Sequence, residues 1–306
     1  MNKFSKKSLF LLMAGMVFVS CNNDDDCKEC ETDEARRIVL SSQVTLGAEP
    51  RLQEEQIEQG QALSLFITPN NTPSEVLYNN VNIIANGEGG FAAQNMYFPI
   101  DGRNIDLFAI HPYSSTATLT GNVEFSIATN QGIQKNYLDS DLLFATRANQ
   151  SRNNNPISMI FSHKMAKLDI TIENNDGLDL STITSFAVTN ILPSTTINVL
   201  NGNITTATGS PVSINAYGVA SVPESRASIT GIHAIIVPQT VPTNTQLFRF
   251  TLGQQVYSFT TSDAFTFMGG NQHAVKLTIS AGQITIESSI TPWETGGSIG
   301  GGVTPE

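Results

Sequence analysis

The sequence predicts an all-β protein of two tandem β-sandwich domains, over residues 37–155 and 156–293, and three observations lead there. Short runs of β-branched and aromatic residues alternate with clusters of Asn, Gly, Pro and Ser, the signature of strands and turns. Helical periodicity is almost absent after the N-terminal segment; residues 52–59 (LQEEQIEQ) are the one stretch expected to make about two turns. Over residues 165–172 the chain alternates cleanly. Leu168, Ile170 and Ile172 take one face and Lys167, Asp169 and Thr171 the other, so one face is expected to be buried and the other wet. Hydrophobic residues are 40% of the 306, enough apolar material for a core.

The first segment is an address. Residues 1–7 carry Lys3, Lys6 and Lys7, and residues 8–19 are apolar. A basic start, a short apolar stretch and a small-residue junction form a secretory signal peptide, residues 1–20, too short for a stable membrane span. The junction Val17-Phe18-Val19-Ser20-Cys21 resembles a bacterial lipobox, which implies cleavage after Ser20 and lipidation of Cys21. Several acyl chains on one Cys anchor far more firmly than a single chain. Residues 21–36 follow as an acidic tether. Its run Asn22-Asn23-Asp24-Asp25-Asp26 resembles the surface-export signal of lipoproteins in gut and oral anaerobic Gram-negative bacteria. Cys27 and Cys30 form a C-x-x-C that lacks both the second ligand pair of a zinc site and the βαβ setting of a redox motif. In an exported protein a short disulfide loop or two idle thiols is expected.

The candidate strands of the body are residues 37–46, 62–68, 76–85, 95–98, 105–112, 123–127, 142–145 and 157–161, then 164–172, 183–190, 197–200, 231–237, 247–252, 255–260, 274–279 and 283–288. The polar, Pro-ended stretch 149–156 is the candidate domain boundary. Residues 294–306 form a Gly-rich tail, flexible and poor as a strand.

Composition and missing motifs narrow the function. Charged residues are 14%, and the net charge of −11 becomes −14 once residues 1–20, with three lysines and no acid, are removed. Phosphate contacts need Lys and Arg, so nucleic-acid binding is not expected. Four His and three Cys argue against a large metal centre, and no metal or cofactor is implied. His163 has no ligand pattern around it and reads as a strand-end residue with satisfied hydrogen bonds; His111, before Pro112, also reads as structural. G-x-S-x-G, H-E-x-x-H, P-loop and dinucleotide motifs are absent, so no catalytic residue is assigned and an enzyme is not expected. Two carboxylates converging from distant strands would leave no such motif.

Five segments together resemble the fimbrillin family, the major and minor subunits of fimbriae in those anaerobes. They are Ala109-Ile110-His111-Pro112-Tyr113, Asp141-Leu142-Leu143-Phe144-Ala145, Phe161-Ser162-His163-Lys164-Met165-Ala166-Lys167-Leu168, Ile235-Ile236-Val237-Pro238-Gln239 and Pro292-Trp293. Their order and spacing cover most of the mature chain. The resemblance implies two domains of transthyretin-like type in a fimbrial subunit serving cell adhesion. It implies export as a lipoprotein to the outer membrane and cell surface. There an Arg-specific trypsin-like protease removes the first strand of the N-terminal domain, and a strand from another subunit fills the opened groove. The implied partners are other fimbrial subunits, that protease, the outer membrane through the precursor's lipid anchor, and a host or bacterial surface ligand.

The sequence carries residues suited to those parts. In the strand expected at 37–46, Ile38, Leu40, Ser42, Val44 and Leu46 share one face, apolar but for one interruption. Residues 47–50 (GAEP) break the strand, and Arg51 follows in an expected loop, the kind of unpaired segment a protease requires. Arg51 thus sits where the family's processing Arg would sit. Cutting at Arg36 or Arg37 would leave the strand attached, while Arg147 and Arg152 lie in another polar stretch. Near the end, Ile284, Ile286 and Ile290 share a face with Ser288 between them, either a donor strand or the last core strand. The weak tail tilts the reading towards a tip or minor subunit, which need only receive a strand, and Arg51 counts against an anchor role. The alternative is a static glycan-binding surface lipoprotein, which has no reason to lose its first strand.

Overall fold

The computed structural model describes residues 36–44, 56–153, 155–219, 228–280 and 283–293. The first strands are β1 (Leu40–Val44), β2 (Ala62–Pro69), β3 (Tyr78–Ile84), β4 (Ile105–His111), β5 (Asn122–Ser126), β6 (Leu143–Gln150) and β7 (Ile157–His163). All but β5 form one six-stranded sheet in the order β1-β7-β6-β4-β2-β3. β1 runs parallel to β7, and the other neighbours are antiparallel. Its central strands read as nearly continuous apolar runs, LSLFITP in β2 and IDLFAIH in β4, because they are buried on both faces. Leu63, Leu65, Ile67, Leu107, Met159 and Phe161 look into one apolar cluster, whereas Phe66, Ile110 and Phe144 belong to a second.

That second, larger cluster is built by the rest of the chain. The strands are β8 (Ala166–Asn174), β9 (Ile183–Ile191), β10 (Ser194–Asn198), β11 (Val212–Asn215), β12 (Ser228–Ile236) and β13 (Gln239–Val241), followed by β14 (Gln246–Leu252), β15 (Gln255–Thr260), β16 (Phe265–Phe267), β17 (Asn271–Ser280) and β18 (Gln283–Pro292). They make two four-stranded sheets, β11-β9-β14-β15 and β12-β8-β17-β18, and β13 pairs with β16. Leu168, Ile170 and Ile172 of β8 are fully buried, so the alternation expected at 165–172 is realised. They share the cluster with Phe186, Val188, Phe248 and Phe250 of the other sheet, as inner faces of two packed sheets do. Phe186 and Phe250 stack with ring centroids 5.7 Å apart.

The N-terminal strands are tied into this cluster. β5 pairs antiparallel with β10, so Val123 and Phe125 enter the larger core. Gln131 is fully buried, and its side chain both accepts from Ile235 N and donates to Ile235 O, each at 2.8 Å. That pair of bonds closes the outer edge of β12 at a point where a strand would otherwise be needed.

Several expectations differ in detail. Residues 149–156, read as a domain boundary, connect β6 to β7 within one sheet; the change of sheet falls at residues 164–165. The helix expected at 52–59 is not present over residues 56–59, and residues 52–55 lie outside the described residues. A one-and-a-half-turn helix, α1 (Gln134–Asp139), occurs instead in a stretch too short to carry a helical period. Residues 95–98 form a bridge between Tyr97 and Arg37 rather than a strand. β11, β13 and β16, of three or four residues each, give too few alternating positions to be read from sequence.

Candidate functional site

The first strand is held at a sheet edge by few residues. Its register on β7 runs from Leu40 opposite Ile157 to Val44 opposite Phe161, and Ile157 N donates to Val39 O at 2.8 Å. On its other flank it meets residues 89–98: Ser42 N donates to Gly89 O (2.9 Å), Ile38 N to Met96 O (2.8 Å), and Phe98 N to Arg36 O (2.8 Å). Ile38, Leu40 and Val44 are buried in the smaller cluster, while Val39, between them, is 49% exposed. The inward and outward faces are those expected from the sequence. Burial of three such side chains contributes roughly 5–9 kcal/mol as an upper estimate. Without β1, the backbone edge of β7 and an apolar groove bordered by Met96, Phe98, Met159 and Phe161 would face solvent. Ser42 is the exception on the inward face: it is buried, and its hydroxyl has no hydrogen-bond partner among the described residues.

The second strand of interest, β18, is also at an edge. Among the described residues it pairs with β17 alone, antiparallel, with Ile284 opposite Ile279, Ile286 opposite Leu277 and Ile290 opposite His273. Ile284 and Ile286 are half-buried against the larger cluster, whereas Ile290 is 48% exposed. Beyond it the buried Trp293 donates its backbone N–H to Gly270 O at 3.0 Å and stacks on His163, with centroids 3.8 Å apart at 8°. The Lys167 ammonium lies 5.8 Å from the Trp293 ring centroid.

His163 ends β7, and its Nδ1 is 2.9 Å from the Asp141 carboxylate, so it is a strand-end residue with a partner, as expected. His111 is buried, with Nδ1 2.8 Å from Asp141 O and Nε2 2.9 Å from the Gln61 side-chain amide. Burial pushes its pKa below the ordinary histidine value, more than the adjacent Asp141 carbonyl and carboxylate raise it. Among the described residues, no group of three or more His, Cys, Asp or Glu converges to hold a metal ion, and no helix is long and apolar enough to cross a membrane.

Residues 1–20, Cys21, Cys27, Cys30, Leu46, Arg51 and residues 294–306 lie outside the described residues. The structure brings Ile38, Leu40 and Val44 together on one groove and Ile284, Ile286 and Ile290 on a separate edge. The Gln131 clamp and the His163–Trp293 stack had no sequence signal, because each joins residues more than a hundred positions apart. A cleft of about 380 Å³ lies where the loop after β4 meets β5 and β10. Tyr113, Ser114, Glu124 and Asp139 line it above Val123 and Leu142.

Comparison with known proteins places this architecture. The fimbrillin-like family model matches residues 50–293. A candidate fimbrium subunit of Bacteroides uniformis, Fim1C, is 26% identical over 308 residues, spanning 96% of each chain. The crystal structure of a candidate cell adhesion protein from the same species is similar with a TM-score of 0.64 at 21% identity, over 86% of this chain and 100% of that one. Another from Bacteroides ovatus gives 0.66 at 17% identity, over 85% and 98%. At such identities the two crystal structures establish a shared fold. The family match runs from just ahead of β2 to Trp293, through both apolar clusters, and on that extent the chain belongs to the fimbrillin-like family.

Proposed function

We propose that this chain is a fimbrial subunit serving cell adhesion, exported as a lipoprotein through Cys21 and assembled by protease-triggered strand exchange. The observation that carries the reading is the setting of β1. It is a short edge strand whose apolar face covers a groove, and its removal would leave a ready ladder edge on β7. Arg51 follows that strand in sequence and precedes the next, so a cut after it would free β1 without entering the body. The incoming strand would run parallel to β7, as β1 does, with alternate apolar residues in the positions of Ile38, Leu40, Val44 and Leu46. β18 is the chain's own candidate donor, because Ile284, Ile286 and Ile290 repeat the spacing of the first three of those positions. A tip or minor role suits a subunit with a receiving groove and a Gly-rich tail. The two apolar clusters support a division into two sandwich-like halves, and the partners are other fimbrial subunits, an Arg-specific trypsin-like protease and the outer membrane.

Limited digestion of the purified precursor body with such a protease tests this. Mass spectrometry should find the earliest cut after Arg51, followed by loss of β1 and appearance of oligomers on native gels when other subunits are supplied. Arg51→Ala should abolish both steps. A resistant Arg51, or a cut body that stays monomeric with other subunits present, would refute the reading. One observation favours the alternative of a static glycan binder, the cleft with Tyr113, Glu124 and Asp139 at its rim, and a glycan array decides it.

A further inference from the structure

Ser42 is the third inward-facing residue of the strand to be replaced, and it is the one that does not fit. Ile38, Leu40 and Val44 meet an apolar cluster with apolar side chains. Ser42, 3% exposed, brings a hydroxyl that finds no donor or acceptor among the described residues. Its backbone is served, since Ser42 N donates to Gly89 O at 2.9 Å, and its register neighbour on β7 is Met159, fully buried in the same cluster. A hydroxyl removed from water and left unpaired disfavours the state that buries it. An apolar side chain at the same position carries no such group.

The chain's own β18 does not relieve the misfit. The face of β18 that carries its isoleucines reads Ile284, Ile286, Ser288, Ile290, against Ile38, Leu40, Ser42, Val44 on the inward face of residues 38–44. Only one register sets all three isoleucines on the three apolar positions, and in that register Ser288 falls on the position of Ser42. Shifting by two residues in either direction puts Ser288 where Leu40 or Val44 now sits. A second copy of this chain would therefore bury an unpaired hydroxyl again.

We infer that the Ser42 position is a selectivity site of the groove, and that the preferred donor is a different subunit with a small apolar residue, such as Ala or Val, at its third inward position. This rests on the strand-exchange reading and adds to it the chemistry of the partner. It also gives β1 a built-in weakness, so that an apolar donor displaces it rather than merely matching it.

The test uses the full chain cleaved after Arg51 and fluorescein-labelled peptides of residues 283–293, in the native sequence and as S288A, with anisotropy as the readout. The S288A peptide should bind about 5- to 100-fold more tightly. Equal binding overturns the selectivity and leaves strand exchange standing. Failure of both peptides to bind overturns the inference, whereas strand exchange itself falls only if the cleaved chain also stays monomeric with other subunits supplied. Ser42→Ala in the uncleaved chain examines the position without any exchange. It should raise the urea midpoint and, after cleavage, slow the loss of β1 by a similar factor. An unchanged or lowered midpoint overturns the inference whatever the peptides do.

Discussion

Gln131→Leu tests how the N-terminal strands are fastened to the larger core. The wild-type side chain is fully buried and forms two 2.8 Å hydrogen bonds with the backbone of Ile235, one in each direction. Leu nearly conserves the volume and can form neither. It leaves the Ile235 N–H and C=O unpaired on a residue that is itself buried. Each orphaned backbone group costs about 1–3 kcal/mol, and relief from desolvating the Gln amide offsets part of this, for a net loss of about 2–5 kcal/mol. In a chain of this size that lowers Tm by roughly 5–15 °C. Urea unfolding followed through the fluorescence of the single tryptophan, Trp293, gives the free energy. Hydrogen exchange gives the local effect, with the Ile235 amide losing protection before the rest of β12. A Gln131→Leu variant within 0.5 kcal/mol of wild type, with the Ile235 amide still protected, would refute the claim that a side chain closes this strand edge.

Further outcomes follow from other contacts. His111, His233 and His273 are all pushed below the ordinary value of 6.5, chiefly by burial. The unfolded chain therefore binds protons that the fold refuses. The resulting stability is complete above about pH 6.5 and declines as pH falls below it towards the folded-state values. The urea midpoint should drop between pH 7 and 5.5 and drop less in His111→Gln; a flat profile in wild type would refute this. Gly218→Ala would place a Cβ 2.0 Å from the Gly231 carbonyl oxygen at φ +87°, so it should cost more than about 3 kcal/mol or prevent folding. Gly60→Ala, at φ +85° but with nothing within 4 Å, should lose only about 1 kcal/mol in the same chemical denaturation, and equal losses in the two variants would refute the steric account. Trp293→Ala should destabilise by about 3–5 kcal/mol by calorimetry, since it removes both a buried indole and the ring on which His163 stacks; a loss under 1 kcal/mol would show that the end of β18 is not anchored there.

The strands of the body were legible because burial writes itself into alternation. β8 is the clearest case: Leu168, Ile170 and Ile172 are inward and Lys167, Asp169 and Thr171 are not, as the residue pattern requires. The same holds for β1 and the two residues ahead of it, where Ile38, Leu40 and Val44 lie inward and Val39 outward. β2 and β4 were legible as strands but not as doubly buried ones, since a continuous apolar run does not say what covers its second face. The stretch at 149–156 shows the opposite limit. Polar residues ending in Pro mark a turn dependably, but a turn between two strands of one sheet and a linker between two sheets have the same composition.

Local chemistry in the chain therefore decides which residues extend, which side of each strand is apolar and where turns fall. Partnership was decided only in three dimensions. That β1 lies parallel to β7, that β5 crosses to pair with β10, that Gln131 serves Ile235 and that His163 receives Trp293 are all contacts between distant positions. Backbone hydrogen bonds are the same for every residue type except Pro, so a strand's sequence does not name its neighbour. The neighbour is chosen by the one arrangement that buries all the apolar faces together while leaving few backbone groups unpaired.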